Sequence, residues 1–168
     1  EEFKPLFGPT IICGFMKIHG HTVGVLGNNG SLFPDSSQKA AHFIQLCNQI
    51  SIPLVFLQNI TGFNIGKEFE QNGSIKKGAQ MLNAVSNSEV PHLTVILGNS
   101  YGAGTYAMSG REFGNAFTFL WPTAKIAVMG GEQIAGVMSM VRRAKAMRDG
   151  LPFDCLLYTS PSPRDKHR

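Results

Sequence analysis

Leu93-Thr94-Val95-Ile96-Leu97 is an unbroken run of strand formers, and it passes directly into Gly98-Asn99-Ser100-Tyr101-Gly102-Ala103-Gly104-Thr105. Apolar runs without alternation belong to parallel strands covered on both faces, so the first five residues predict a buried strand. The next eight predict a loop of small residues that leads into a helix. The same order occurs earlier in the chain. Pro53-Leu54-Val55-Phe56-Leu57 predicts another buried strand, and Thr61-Gly62-Phe63-Asn64-Ile65-Gly66 a glycine-rich loop behind it. Buried strands that alternate with helices across short loops predict an α/β layered domain.

The flanking sequence fits that frame. Thr22–Leu26 reads as a short strand ending in the turn Gly27-Asn28-Asn29-Gly30. Pro34-Asp35-Ser36-Ser37 opens a helix in which Ala40, Phe43, Ile44 and Cys47 share one face at helical spacing. A second helix is expected over 73–87 with Ala79, Leu82 and Val85 inward. Short strands are expected at 117–120 and 125–128, and a last helix runs from Gly130-Gly131-Glu132-Gln133 to about Met147.

Composition narrows the classes. Of 168 residues 43% are hydrophobic and 15% charged, fewer charges than the roughly 25% of an average domain, which excludes a disordered chain or a coiled coil. No apolar stretch approaches the roughly 18 residues of a membrane span. The net charge of +4 does not point to nucleic acid, because half of it lies in residues 155–168. The run Arg142-Arg143-Ala144-Lys145 reads as a solvated helix face. Cys13, Cys47 and Cys155 have neither metal-ligand spacing nor an even disulfide framework, so no metal is expected and a reducing compartment fits.

From Cys155 the chain reads Cys155-Leu156-Leu157-Tyr158-Thr159-Ser160-Pro161-Ser162-Pro163-Arg164-Asp165. This string matches a translated transposase sequencing adaptor. The expectation is a partial domain over 1–154 and a non-native tail over 155–168. Sequencing the gene from source DNA checks it, and genomic Ser/Pro codons at that place would sink it.

Two strand-to-loop junctions, Asn59–Gly66 and Gly98–Thr105, carry the chemistry that can be read. A strand that ends in small residues before a helix presents unpaired backbone N–H groups, reinforced by the helix dipole. Where the residues are Gly or Ala, a ligand oxygen can approach without meeting a side chain, and an oxyanion hole can be built from backbone alone. Tight strand–helix packing asks for the same glycines and stands beside that reading. Gly102-Ala103-Gly104 lacks the spacing of a dinucleotide fingerprint, and no phosphate-binding Gly-Lys-Ser/Thr occurs. His19, His21, His42 and His92 have no carboxylate near them in sequence. Ser100 is not set in a nucleophile elbow, and Glu132 is accounted for by the start of a helix. The chain offers anion-stabilising backbone and no evident general base. An enolate reaction whose base comes from a cofactor needs nothing more.

Gly27-Asn28-Asn29-Gly30, Pro53–Phe63, Ser100–Gly104, and Trp121-Pro122 followed by Val128-Met129-Gly130-Gly131-Glu132-Gln133 occur in this order. Together they resemble the C-terminal half of the carboxyltransferase β subunit of biotin-dependent acyl-CoA carboxylases, across essentially all of 1–154. Gln58-Asn59-Ile60-Thr61-Gly62-Phe63 is similar to the methylcrotonoyl branch. Thr105, Ala107 and Ser109 stand where that branch is expected to carry Asn, Gly and Cys.

The resemblance implies an incomplete crotonase-like (ClpP/crotonase) spiral of β-β-α units. It implies carboxyl transfer from carboxybiotin to an acyl-CoA enolate, with 3-methylcrotonyl-CoA favoured over propionyl-CoA or acetyl-CoA; the alternatives are the carboxyltransferase subunit of a biotin-dependent acyl-CoA decarboxylase and a non-catalytic fragment or interaction subunit. Backbone N–H groups of Ala103 and Gly104 would hold the biotin carbonyl, with Gly102 shaping the turn and Gly62 and Phe63 as further cofactor-binding residues. Biotin would arrive on a carrier protein, and coenzyme A as the substrate thioester. The partners implied are a biotin carboxylase with its carrier subunit and further copies of the β subunit, the site lying at a dimer interface. The compartment would be bacterial cytoplasm or mitochondrial matrix. The 168-residue chain alone is expected to be inactive and to expose apolar surface.

Overall fold

The computed structural model describes residues 1–63 and 66–150. Asn64 and Ile65, the side chain of Glu132, and the segment 155–168 read as a tail lie outside the described residues. Glu1–Val128 forms one compact unit, and Met129 begins a second.

The first unit is a single sheet. Strands β1 (Ile11–Ile18) and β2 (His21–Asn28) form an antiparallel hairpin, and β3 (Leu54–Ile60), β4 (His92–Tyr101) and β5 (Phe117–Leu120) continue from β2 in parallel. The short β6 (Lys125–Ala127) also pairs with β4, further along it. Strand β4 therefore forks: Leu93–Ile96 pair with β5, and Asn99–Tyr101 pair with β6. Helix α1 (Pro34–Gln49) follows β2, α2 (Lys67–Gln71) and α3 (Ser74–Ser86) follow β3, and the five-residue α4 (Ala103–Ala107) follows β4.

Register explains the core. Cys13, Leu26, Phe56, Thr94 and Thr118 are neighbours in one row across five strands. The first three are buried with Phe43, Ile44 and Met81 of α1 and α3 in one apolar cluster. At β4 the row turns polar, and Asn115 Nδ2 donates to both Thr94 Oγ1 (3.1 Å) and Thr118 Oγ1 (2.6 Å). Neighbours on the other face, Leu57, Val95 and Phe119, are half-buried to exposed, and Phe117 and Trp121 are exposed as well. The expected apolar surface is present there.

Several expectations need correction. The strand β1 was not anticipated, because Gly14 and Lys17 interrupt its apolar pattern. It forms because it pairs with β2 over all eight residues. Strand β4 is not buried on both faces. His92, Thr94, Ile96 and Ser100 are buried, whereas Leu93 and Val95 are partly covered and Leu97 is exposed. Nor is Gly98–Tyr101 a loop, since β4 continues through it. In α3 the buried face is Gly78, Met81, Ala84 and Val85, and Ala79 is exposed. Phe63 lies over Gly78, where a Cβ would come within 3.3 Å of its ring, and Met81, Ala84 and Val85 join α1 in the core.

In the second unit, α5 spans Gly131–Asp149 and ends on Gly150, whose φ of 65° and ψ of 23° make a left-handed cap. Arg142, Arg143 and Lys145 are exposed, in keeping with a solvated face.

Candidate active site: the turn after strand β4

Where β3 and β4 end, the ladder between them slips: Gln58 faces Ile96, but Ile60 faces Ser100. The extra residues of β4 leave N–H groups that the ladder cannot pair, and a buried unpaired amide is costly. Asn59 repairs this, its Oδ1 accepting from Asn99 N at 3.0 Å. The amide fills the space beside Gly98, where any Cβ would collide with it. Asn28 does the same between β2 and β3. Its Oδ1 accepts from Asn59 N (2.8 Å) and its Nδ2 donates to Asn59 O (2.6 Å). The side chains of Asn28 and Asn59 thus tie together the ends of three parallel strands, the side from which open α/β sheets bind ligands.

The turn itself depends on glycine. Gly102 has φ 59° and ψ −148°, a region closed to residues with a Cβ, and its N–H donates to Ala127 O at 3.2 Å. Ala103 begins α4 and is exposed. Gly104 follows and is buried, since a Cβ there would lie 2.8 Å from Ile60 Cδ1 and 3.3 Å from Gly62 Cα. As the first two helical residues, Ala103 and Gly104 have N–H groups without an acceptor inside the helix. Gly62, with φ 135° and open space beside its Cα, comes against the same turn. The two junctions, separate in sequence, are therefore one place. The side chain of Phe63 points elsewhere, onto α3, while its backbone bridges Leu32, whose N–H donates to Gly62 O at 3.3 Å. Gly104 is glycine for packing, and Gly62 and Gly102 for backbone conformation.

Residues not anticipated as functional hold the turn from below. Gln58 is fully buried, and its Nε2 donates to Met108 O (2.7 Å) and Thr105 O (3.2 Å). Its Oε1 accepts from Ser100 Oγ at 2.9 Å, and Ser100 Oγ lies 2.9 Å from Thr105 Oγ1. A polar residue inside the apolar run Leu54–Ile60 was the signal that could have found it. His92, also buried, places Nδ1 3.0 Å from Ser109 Oγ and Nε2 2.7 Å from Ser88 Oγ, and burial lowers its pKa below 6.5. It is structural, as expected for a histidine without a carboxylate. Burial raises the Cys13 thiol to about 12 and the Cys47 thiol to about 11, so neither is a nucleophile at neutral pH.

A cleft of about 830 Å³ opens beyond the other end of α4, bordered by Gln58, Thr105, Arg111, Asn115 and Phe117. None of Gly62, Phe63, Gly102, Ala103 or Gly104 lines it. Among the described residues no group of three metal-ligating side chains converges, and no helix is long and apolar enough to cross a membrane.

Residues 1–166 match the family defined as the carboxyl transferase domain. The probable mitochondrial methylcrotonoyl-CoA carboxylase beta chain of Drosophila melanogaster is 55% identical over 152 residues, which is 90% of this chain and 26% of that protein. The crystal structure of the geranyl-CoA carboxylase beta subunit of P. aeruginosa superposes with a TM-score of 0.84 at 49% identity, covering 86% of this chain and 28% of that one. The transcarboxylase 12S structure, described as a hexamer assembly with methylmalonyl-coenzyme A bound, follows with a TM-score of 0.78 at 38% identity, covering 82% and 28%. The chain thus spans about a quarter of the length of such relatives. Its mixed α/β fold is that of the crotonase-type carboxyltransferases.

Proposed function

Because the chain belongs to the carboxyl transferase domain family, we propose that it is part of the carboxyltransferase β subunit of a biotin-dependent acyl-CoA carboxylase. Its substrate on this reading is 3-methylcrotonyl-CoA. The 55% identity to a methylcrotonoyl-CoA carboxylase beta chain carries the reading, and the turn after β4 supplies chemistry that agrees with it.

Carboxyl transfer to an acyl-CoA passes through an enolate, and negative charge developing on oxygen is stabilised by donors already in place. The residues fit a carboxybiotin carbonyl at Gly102–Gly104. Ala103 is exposed and carries only a methyl group, and Gly102 turns the chain so that the next two N–H groups open a helix. Bound here, the cofactor would supply the carboxyl group and the base for the transfer. Ala103 and Gly104 would hold its carbonyl oxygen through their N–H groups, with Gly62 against the same turn and Phe63 next to it in the chain. The coenzyme A site, the biotin carboxylase and carrier, and the second β subunit that completes the site lie on other parts of the assembly. The chain alone is therefore inactive. A bacterial cytoplasm or a mitochondrial matrix suits such an assembly.

The test is to express the full-length subunit with its biotin carboxylase and carrier partner. ATP-dependent fixation of ¹⁴C-bicarbonate is then followed on 3-methylcrotonyl-, geranyl-, propionyl- and acetyl-CoA. Label on 3-methylcrotonyl-CoA is the expected result. No label on any of them while biotin itself is carboxylated overturns the reading.

A further inference from the structure

A helix of five residues is far shorter than the roughly 12–15 that an isolated helix needs for even marginal stability, yet the site asks α4 (Ala103–Ala107) to aim two N–H groups at a fixed point. Something outside the helix must hold it. Its beginning is pinned by Gly102 N donating to Ala127 O. Its end is held by a closed ring of hydrogen bonds. Thr105 and Met108 present carbonyl oxygens, which can face only the NH₂ group of Gln58, and this fixes the orientation of the amide. Gln58 Oε1 then takes the single proton of Ser100, so the 2.9 Å contact between Ser100 and Thr105 must be donated by Thr105. Each member both gives and receives, and the ring returns to Thr105 through its own carbonyl.

We propose that Gln58, Ser100 and Thr105 are positioning residues for carboxyl transfer, acting through α4 to set the aim of the Ala103 and Gly104 N–H groups. The inference rests on the reading of that turn as the carbonyl-binding site. Gln58 and Ser100 are completely buried, and they act through their hydrogen bonds to α4. The ring joins β3, β4 and α4, and a loosened ring lets the first turn of α4 shift while the sheet stays intact. Misplacement of a catalytic group by about 1 Å costs on the order of 10²-fold in rate.

The experiment uses the full-length holocarboxylase, with kcat and the KM for acyl-CoA measured separately. Thr105→Val removes the donor at nearly constant volume and is expected to lower kcat ~10- to 100-fold with KM changed less than about twofold. Thr105→Ser keeps the hydroxyl and is expected to restore most of kcat. Gln58→Met should give the larger loss. If that variant does not fold, Ser100→Ala carries the test, because it removes one hydroxyl and adds nothing. Folded Thr105→Val and Ser100→Ala enzymes with more than half the wild-type kcat overturn the proposal, as does Thr105→Ser failing as badly as Thr105→Val. Ala103→Pro, run beside them, separates the two levels. If it is inactive while Thr105→Val is normal, only the positioning role falls. If it stays active, the reading of the turn falls and the positioning role with it.

Discussion

The loop after β3 and the turn after β4 look alike as sequence, each a buried strand running into glycine, yet they are built for different reasons. The β4 turn is held at both ends by hydrogen bonds, Gly102 N to Ala127 O and the Gln58 amide to Thr105 O and Met108 O. Among the described residues the β3 loop is held by apolar packing of Phe63 on Gly78 and by longer polar contacts, Leu32 N–H donating to Gly62 O at 3.3 Å and Ser31 Oγ lying 3.4 Å from Thr61 Oγ1. Hydrogen bonds fix direction, while apolar contact mainly excludes water and tolerates small rotations. A site that must aim donors belongs on the first kind of junction, and the second kind can serve as its wall. Glycine content alone does not distinguish them.

The largest effect expected from this contrast is on rate. Ala103→Pro deletes an N–H in the directed turn and should lower carboxyl transfer by 10²–10³-fold, about 2.7–4 kcal/mol of transition-state stabilisation. The bicarbonate-fixation assay on the full-length enzyme reads it. A folded variant that keeps over half the wild-type rate would erase the distinction between the junctions.

Next in size is stability at the point where the junctions touch. Gly104→Ala places a Cβ 2.8 Å from Ile60 Cδ1 and should cost about 1–3 kcal/mol by overpacking. Adding Ile60→Val should recover part of that loss in denaturant unfolding. Gly62→Ala meets open space and is opposed only by its φ of 135°. It should cost about 1 kcal/mol, and Ile60→Val should not relieve it. Equal rescue of both would mean that the two glycines serve the same purpose.

The smallest effect is pH dependence. Burial favours neutral His92, so its folded pKa lies below the 6.5 of the unfolded chain. The unfolded state then binds more protons as the solution is acidified. That stability is fully present above 6.5 and is lost as pH falls from there through the lowered folded value. His92 holds Ser109, just past α4, and among the described residues no histidine is bonded to the β3 loop. Melting temperature between pH 7 and 5 should drop more for the parent than for His92→Gln. Parallel slopes would remove His92 from the account.

What could be read in the sequence followed from local rules. Apolar runs marked the cores of β3 and β4, the spacing of Ala40, Phe43, Ile44 and Cys47 marked the buried face of α1, and small residues marked the two junctions. What could not be read depended on partners far along the chain. Strand β1 exists through β2, and Gly98–Tyr101 is a strand because Asn59 and β6 satisfy it. The ring around Gln58 joins residues 42 to 50 positions apart. Ala79 misled for a related reason. Helical spacing defines a stripe, but which side of α3 lies inward depends on distant partners, α1 against Met81, Ala84 and Val85 and the ring of Phe63 against Gly78.

The fork in β4 also sets an order in time. Gln58 leaves the ribosome long before Thr105, and Ala127, which pins Gly102, comes later still. At about 5–20 residues per second, the interval from Gln58 to Ala127 is roughly 3–14 s. During that interval the hairpin, α1 and β3 can already be in place, while the turn after β4 cannot. The donors of the site are thus among the last parts of this unit to acquire a direction. A nascent chain stalled before Lys125 should protect the amides of β2 and β3 from exchange and leave the Gly102 amide unprotected.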